Sequence, residues 1–126
     1  MKAIMVETRS RMEVLDITSE VEKNIEKEDG LALVYTPHTT TALIINEAES
    51  GLIEDIMNIL RILVPRAEYK HNRIDNNADA HLRACLLGNS VVVPVENGSL
   101  KLGTWQRILF IELDGPRRRK VYVKVV

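Results

Sequence analysis

Two of the three histidines of this 126-residue chain close the two ends of one polar stretch, His71-Asn72-Arg73-Ile74-Asp75-Asn76-Asn77-Ala78-Asp79-Ala80-His81. Imidazole changes charge near neutral pH and is a common metal ligand, so a pair of them with carboxylates nearby can move protons, hold a metal or hold an anion. Only Ile74 and two alanines in the stretch are apolar, so burial is not its main purpose. The third histidine, His38, opens the run His38-Thr39-Thr40-Thr41 after Pro37. Three hydroxyls with their backbone amides beside an imidazole suit a phosphate or a carboxylate. The run is not a P-loop, because the glycines and the lysine are missing. Each run also has a plainer reading: a polar loop that caps a helix, and β-prone threonines that fill a strand. That every histidine falls in such a run favours a shared site built from His38, His71 and His81, with Asp79 as its carboxylate. Glu47 sits where a strand gives way to a helix, close in sequence to the threonines, and is a further candidate acid.

These residues need elements to position them. Asn76 or Asn77 can cap a helix over residues 78–87, with Asp79 in its first turn and Gly88 at its end. Ala78, His81, Leu82 and Cys85 fall on one stripe of that helix, which turns His81 inward or along a rim and makes Cys85 a small core residue. A longer helix covers residues 50–63, with Leu52, Ile56, Ile59, Leu60 and Leu63 on one face and Pro65 as its stop. A thinner helix runs over 18–28, ended by Gly30. Strands are expected over 2–8, 12–17, 31–36, 42–45, 90–95, 99–102, 108–113 and 120–126. Asn97-Gly98 is a type I′ hairpin signal between two of them. Hairpins dominate this order, so the sheets should be mainly antiparallel. The expected fold is α+β: a two-sheet antiparallel sandwich with about three helices packed outside, as one domain over residues 1–126. Trp105, in the turn Gly103-Thr104-Trp105-Gln106, reads as a buried anchor or a pocket wall.

Composition removes several function classes. The net charge is −1, which gives no overall pull toward nucleic acid or anionic membrane. Aromatic residues are 4% of the chain, too few for a base-stacking platform. The single cysteine excludes an internal disulfide and fits a reducing, cytoplasmic setting. No stretch approaches membrane-spanning length.

Three motif groups stand in order: Pro37-His38-Thr39-Thr40 with Asn46-Glu47; His71 with Asn77-Ala78-Asp79-Ala80-His81; and Ser90 through Gly98 to Gly103-Thr104-Trp105-Gln106 with Ile108. Asp114-Gly115-Pro116-Arg117 closes them. Together they resemble the YjbQ family, described as secondary thiamine-phosphate synthase enzymes. The resemblance runs over nearly the whole chain from about residue 14. It implies a compact α+β sandwich, a trimer, and a weak activity that joins a pyrimidine pyrophosphate to a thiazole phosphate with release of pyrophosphate. It also implies that His38, His71 and His81 form the site. With Asp79 they make the expected catalytic group. Thr39, Thr40, Asn77, Trp105, Gln106 and Arg117 are the expected contacts to a small phosphorylated substrate.

Displacing pyrophosphate requires its charge to be neutralised by a cation or by basic side chains. A divalent metal ion, zinc or magnesium, is the expected cofactor, with His38, His71, His81 and Glu47 as candidate ligands. Arg117 is either a phosphate clamp or a solvated turn residue. The same residues admit a metal-dependent phosphate-ester hydrolase, or a non-catalytic trimer that binds a metal or an anion. For assembly, Leu109-Phe110-Ile111 and Val91-Val92-Val93 are unbroken apolar runs, which imply cover on both strand faces. A neighbouring subunit of a homotrimer is the expected cover.

Overall fold

The computed structural model describes residues 1–126. The eight strands are β1 (Lys2–Glu7), β2 (Glu13–Asp16), β3 (Gly30–Tyr35), β4 (Thr41–Asn46), β5 (Ser90–Glu96), β6 (Ser99–Leu100), β7 (Arg107–Glu112) and β8 (Arg118–Val125). The helices are α1 (Thr18–Glu22), α2 (Ser50–Leu63), α3 (Asn72–Asp75) and α4 (Ala78–Leu87). The strands form two antiparallel sheets, β1-β8-β3-β5-β6 and β2-β7-β4. The fold is thus the expected α+β sandwich, with a short fourth helix. No helix is long and apolar enough to cross a membrane.

The layers follow from strand patterning. In β3 burial alternates, with Ala32 and Val34 inward and Leu31, Leu33 and Tyr35 outward, as a sheet with one covered face demands. The inward residues of the five-stranded sheet meet Leu43, Ile108 and Phe110 of the three-stranded sheet, and Ile17 and Val21 close that core. In β7 every residue from Ile108 to Glu112 is buried. The second face of its sheet packs Ala42 and Ile111 against Leu60 of α2 and Ala80 of α4. The chain's own helices therefore cover the Leu109-Phe110-Ile111 run, and no neighbouring subunit is needed there. The Val91-Val92-Val93 run is different. Val93 is buried, but Val92 is 53% exposed on a sheet face that no helix covers.

Local chemistry sets the element ends. Asn97 and Gly98 take φ of 52° and 76° and form the expected hairpin turn. Glu49 caps α2 by accepting the N–H groups of Gly51 and Leu52. Within α2 only Leu60 is buried, while Ile59 and Leu63 remain exposed. α1 stops at Glu22, well before residue 28. Gly30, rather than ending that helix, opens β3 at a φ of 150°, where a Cβ would lie 2.3 Å from the Val126 carbonyl oxygen.

α4 occupies the expected residues but faces another way. Its buried residues are Ala78, Asp79, Ala80 and Arg83, while Leu82 and Cys85 are exposed. The expected stripe with Cys85 in the core is therefore incorrect. The reason is an ion pair one helical turn long: Arg83 and Asp79 meet at 3.0 Å, each side chain 3% exposed. Arg83 also donates to the Leu60 and Val64 carbonyls at the end of α2. The Leu60 carbonyl already accepts the Val64 N–H that closes α2, while the Val64 carbonyl lies past the helix end, and a guanidinium with several donors reaches both. The asparagine caps differ too. Asn76 ends α3 in the left-handed region, at φ 52°, and the Asn77 side chain makes no capping bond. Asn72 caps α4 in its place, its Oδ1 accepting the Ala78 N–H at 3.0 Å.

Candidate functional site

β3 ends at Tyr35, and the bend 36–40 returns the chain into β4. Thr36 and Thr41 brace the bend through a hydroxyl–hydroxyl bond of 2.7 Å. His38 sits at its tip, and its Nε2 accepts the Lys120 backbone N–H at 2.9 Å. An imidazole nitrogen that accepts carries no proton, so the neutral ring holds its proton on Nδ1. Partial burial lowers the His38 pKa below the usual 6.5; the nearby Arg119 and Lys120 charges lower it further, against the opposing pull of Glu112. His38 is therefore a neutral N–H donor at pH 7.

His38, Thr39 and Thr41 face His81, Ala84 and Cys85 of α4, with Gly88 and Asn89, across a cavity of about 340 Å³. His71, just before α3, packs edge-on against His81 with ring centroids 4.6 Å apart. The three histidines thus gather in one region: two line the cavity, and the third touches His81. Cys85 joins them as an exposed thiol, one helical turn beyond His81.

Behind this cavity lies a buried network that the sequence did not reveal. Glu112, fully buried, pairs with Arg119: Arg119 Nη2 donates to one carboxylate oxygen at 2.5 Å and Nε to the other at 2.8 Å. The carboxylate also accepts the Thr8 hydroxyl and the Leu113 and Asp114 N–H groups. Burial pushes the Glu112 pKa up, but the bonds from Arg119, Thr8 and the Asp114 amide more than offset it and leave it lowered. Arg119 Nη2 also donates to Thr40 Oγ1 at 2.9 Å, so Thr40 serves this network and is absent from the cavity wall. Lys120, which fixes His38, is the next residue after Arg119. The network is a rigid base for the His38 bend.

The other expected residues lie elsewhere. Asp79 is buried and accepts from Arg83 and from Arg11, each at 3.0 Å, with Arg66 at 3.5 Å. It lies on the other flank of α4 from His81. Asn77 Nδ2 donates to Asp114 at 2.8 Å, and Arg117 donates to the same Asp114, to its main-chain oxygen at 2.9 Å and its carboxylate at 3.2 Å. Trp105 is 72% exposed, so it is neither a core anchor nor a wall of the histidine cavity. It shares a separate hollow with Asp16, Glu47 and Arg107. Gln106 borders a third cleft, beside α1, and its Oε1 accepts the Gly103 N–H at 2.8 Å to close its own turn. One short turn thus carries both residues away from the histidines.

The metal expectation meets the same geometry. Glu47 and the histidines line different hollows. No three His, Cys, Asp or Glu side chains of the chain are grouped so that they could hold a metal ion. His38 Nε2 is occupied by a backbone N–H, so the residues of a single chain do not fit the four-ligand set expected for zinc.

Comparison with known proteins adds a family. Residues 2–126 match the family described as UPF0047 protein YjbQ-like. A UPF0047 protein of Archaeoglobus fulgidus is 63% identical over 98% of both chains. The UPF0047 protein YugU of Bacillus subtilis is 38% identical over 100% of this chain and 98% of its own. Among solved structures, a YbjQ-like protein of unknown function from Sulfolobus solfataricus P2 superposes with a TM-score of 0.95 at 43% identity, covering 98% of this chain and 94% of that one. With the motifs, the fold and the match from residue 2 to residue 126 in agreement, the chain belongs to the YjbQ-like UPF0047 family.

Proposed function

We propose that the chain is a weak thiamine-phosphate synthase-like transferase, joining a pyrimidine pyrophosphate to a thiazole phosphate at the histidine cavity. The observation that carries this reading is the shared cavity of His38 and His81, with His71 against the His81 ring. The new bond forms at the pyrimidine-bearing carbon as the bond to pyrophosphate breaks, and the departing group takes the electron pair. The neutral His38 is suited to donate Nδ1–H to an oxygen that gains charge in that step. His81, half-buried and steadied by His71, is the candidate to take or supply a proton. Thr39, exposed at the rim, is the hydroxyl available to substrate; Thr40 and Asp79 act through the structure around the site. The test is incubation of purified protein with both substrates, following pyrophosphate release and thiamine phosphate together. The reading predicts both products, and a fall of about a hundredfold or more in His81→Asn, the usual scale for a lost general acid or base. Release that is equal in wild type and His81→Asn, or no thiamine phosphate at all, rejects it.

The same reading includes a homotrimer. It is supported by the outer face of the five-stranded sheet, where Leu31, Leu33, Tyr35 and Val92 are all exposed and the Tyr35 and Tyr122 rings stack at 6.5 Å. An apolar sheet face of this kind is uncommon on a monomer. A closed ring of three would cover it without an open end. Tyr35 ends the strand that leads into the His38 bend, so such an interface would run up to the site. Light scattering at low micromolar concentration decides the point: three times 14.3 kDa supports the trimer, and 14.3 kDa rejects it.

A further inference from the structure

We propose that the arginines gathered over Asp79 and Asp114 form a binding site for a phosphate or pyrophosphate group, on the flank of α4 away from His81. Four guanidiniums meet there. Arg83 is buried against Asp79. Arg11, from the turn between β1 and β2, donates to Asp79 at 3.0 Å and lies 3.8 Å from Asp114. Arg66, beyond α2, lies 3.5 Å from both Asp79 oxygens. Arg117 holds Asp114 from the turn before β8.

Stability alone does not account for this arrangement. Asp79 already has a buried partner in Arg83, which donates to one of its oxygens at 3.0 Å. Two more arginines on the same carboxylate add little, because exposed ion pairs contribute only about 0–1 kcal/mol, while the guanidiniums repel one another. Four cations face two carboxylates, so two positive charges stay uncompensated. The side chains of Arg11, Arg66 and Arg117 are 42%, 49% and 54% exposed, whereas Asp79 and Asp114 are 3% and 13% exposed. Buried acids therefore hold accessible forks in place from below. Each guanidinium has five N–H donors, and the bonds to Asp79 and Asp114 use only some of them. Fixed forks with a surplus of two charges match a phosphate dianion better than a single carboxylate. Asn77 adds a second observation. Its Nδ2 donates to Asp114 beside these forks, and its buried Oδ1 has no partner within the chain.

The site stands apart from the histidine cavity, and its anion chemistry does not require the reaction proposed there. The experiment is calorimetric titration of the full chain with pyrophosphate, then with inorganic phosphate, in low-salt buffer where exposed charges are least screened. Arg66→Gln and Arg117→Gln are the variants, chosen because both side chains are exposed, with circular dichroism to verify the fold. The expected result is saturable binding, weakened about tenfold or more in each variant, as for loss of a bond to a charged group, and partly kept in Arg66→Lys. His81→Asn should bind as wild type does. The proposal is overturned by no binding at millimolar pyrophosphate, by binding that neither glutamine variant weakens, or by binding lost in His81→Asn, which would move the anion into the histidine cavity. A failed transferase assay beside arginine-dependent binding would reject the reaction and leave this site standing.

Discussion

The two sheets of this molecule carry similar apolar runs and dispose of them in opposite ways. Leu109-Phe110-Ile111 lies in β7, with the inter-sheet core on one face and α2 and α4 on the other, and all three residues are fully buried. Val91-Val92-Val93 lies in β5, and its outward valine, paired across the sheet with Leu33, stands on a face that no helix covers. The difference teaches that an unbroken apolar run reports cover on both faces without naming the cover. In one sheet the cover is the chain's own helices. In the other it must come from outside the chain, or the face stays bare.

The comparison breaks most readily at Phe110. Phe110→Ala should destabilise the chain by about 3–5 kcal/mol, the range for an aromatic lost from a filled core. Val92→Ala, measured beside it by urea unfolding at a concentration where the chain is monomeric, should stay within about 0.5 kcal/mol. Equal losses at the two positions would mean that the outer face is not bare. Glu112→Gln should come next, at about 1.5–3 kcal/mol, because the bonds from Arg119 and Thr8 reach a charged acceptor. Its pH dependence has a fixed sign. The folded pKa of Glu112 is lowered from 4.5, so its contribution is complete above about pH 4.5 and is lost as pH falls through the folded value. Glu112→Gln should flatten stability in that acid window and leave the slope near neutral pH unchanged. Trp105→Ala should cost under about 1 kcal/mol, since the ring is mostly in solvent. A loss of several kcal/mol would place Trp105 in an interface between chains. The smallest effect on monomer stability belongs to Val92→Lys, within about 0.5 kcal/mol, but a trimer built on this face should fall to 14.3 kDa in that variant.

Much of the fold was legible because local signals and burial agreed. Asn97-Gly98 gave the hairpin, Pro65 stopped α2, and the alternation in β3 matched its covered face. The site was legible only in part. The histidines declared themselves as rare titratable residues in polar runs. Glu112 and Arg119 did not, because each stands in a strand whose register decides whether a charge points in or out. Asp79 and Arg83, four residues apart on a helix, read like any surface pair. Only the packing of α2 against α4 turns that pair inward, and with it Cys85 outward. Trp105 misled for the opposite reason: hydrophobicity alone predicts burial, and a turn at a sheet end offered the ring nothing to pack on.

The topology also bears on the timing of synthesis. β7 is the central strand of the three-stranded sheet and β8 joins β1 to β3 in the five-stranded one, each paired on both sides, and a short turn links them. β1 has a single partner, β8, with Lys2 opposite Val123. A ribosome adding roughly 5–20 residues per second leaves β1 unpaired for on the order of ten seconds before that partner emerges. During that interval β2 and β4 also lack the strand that joins them, so neither sheet can close as translation proceeds. Both sheets become complete only with β7 and β8, within one short stretch of chain, as a single event that depends on contacts distant in sequence. Until then Ile4, Val6 and the edges of β3 and β4 stay open, and a nascent-chain holdase would have its work concentrated there.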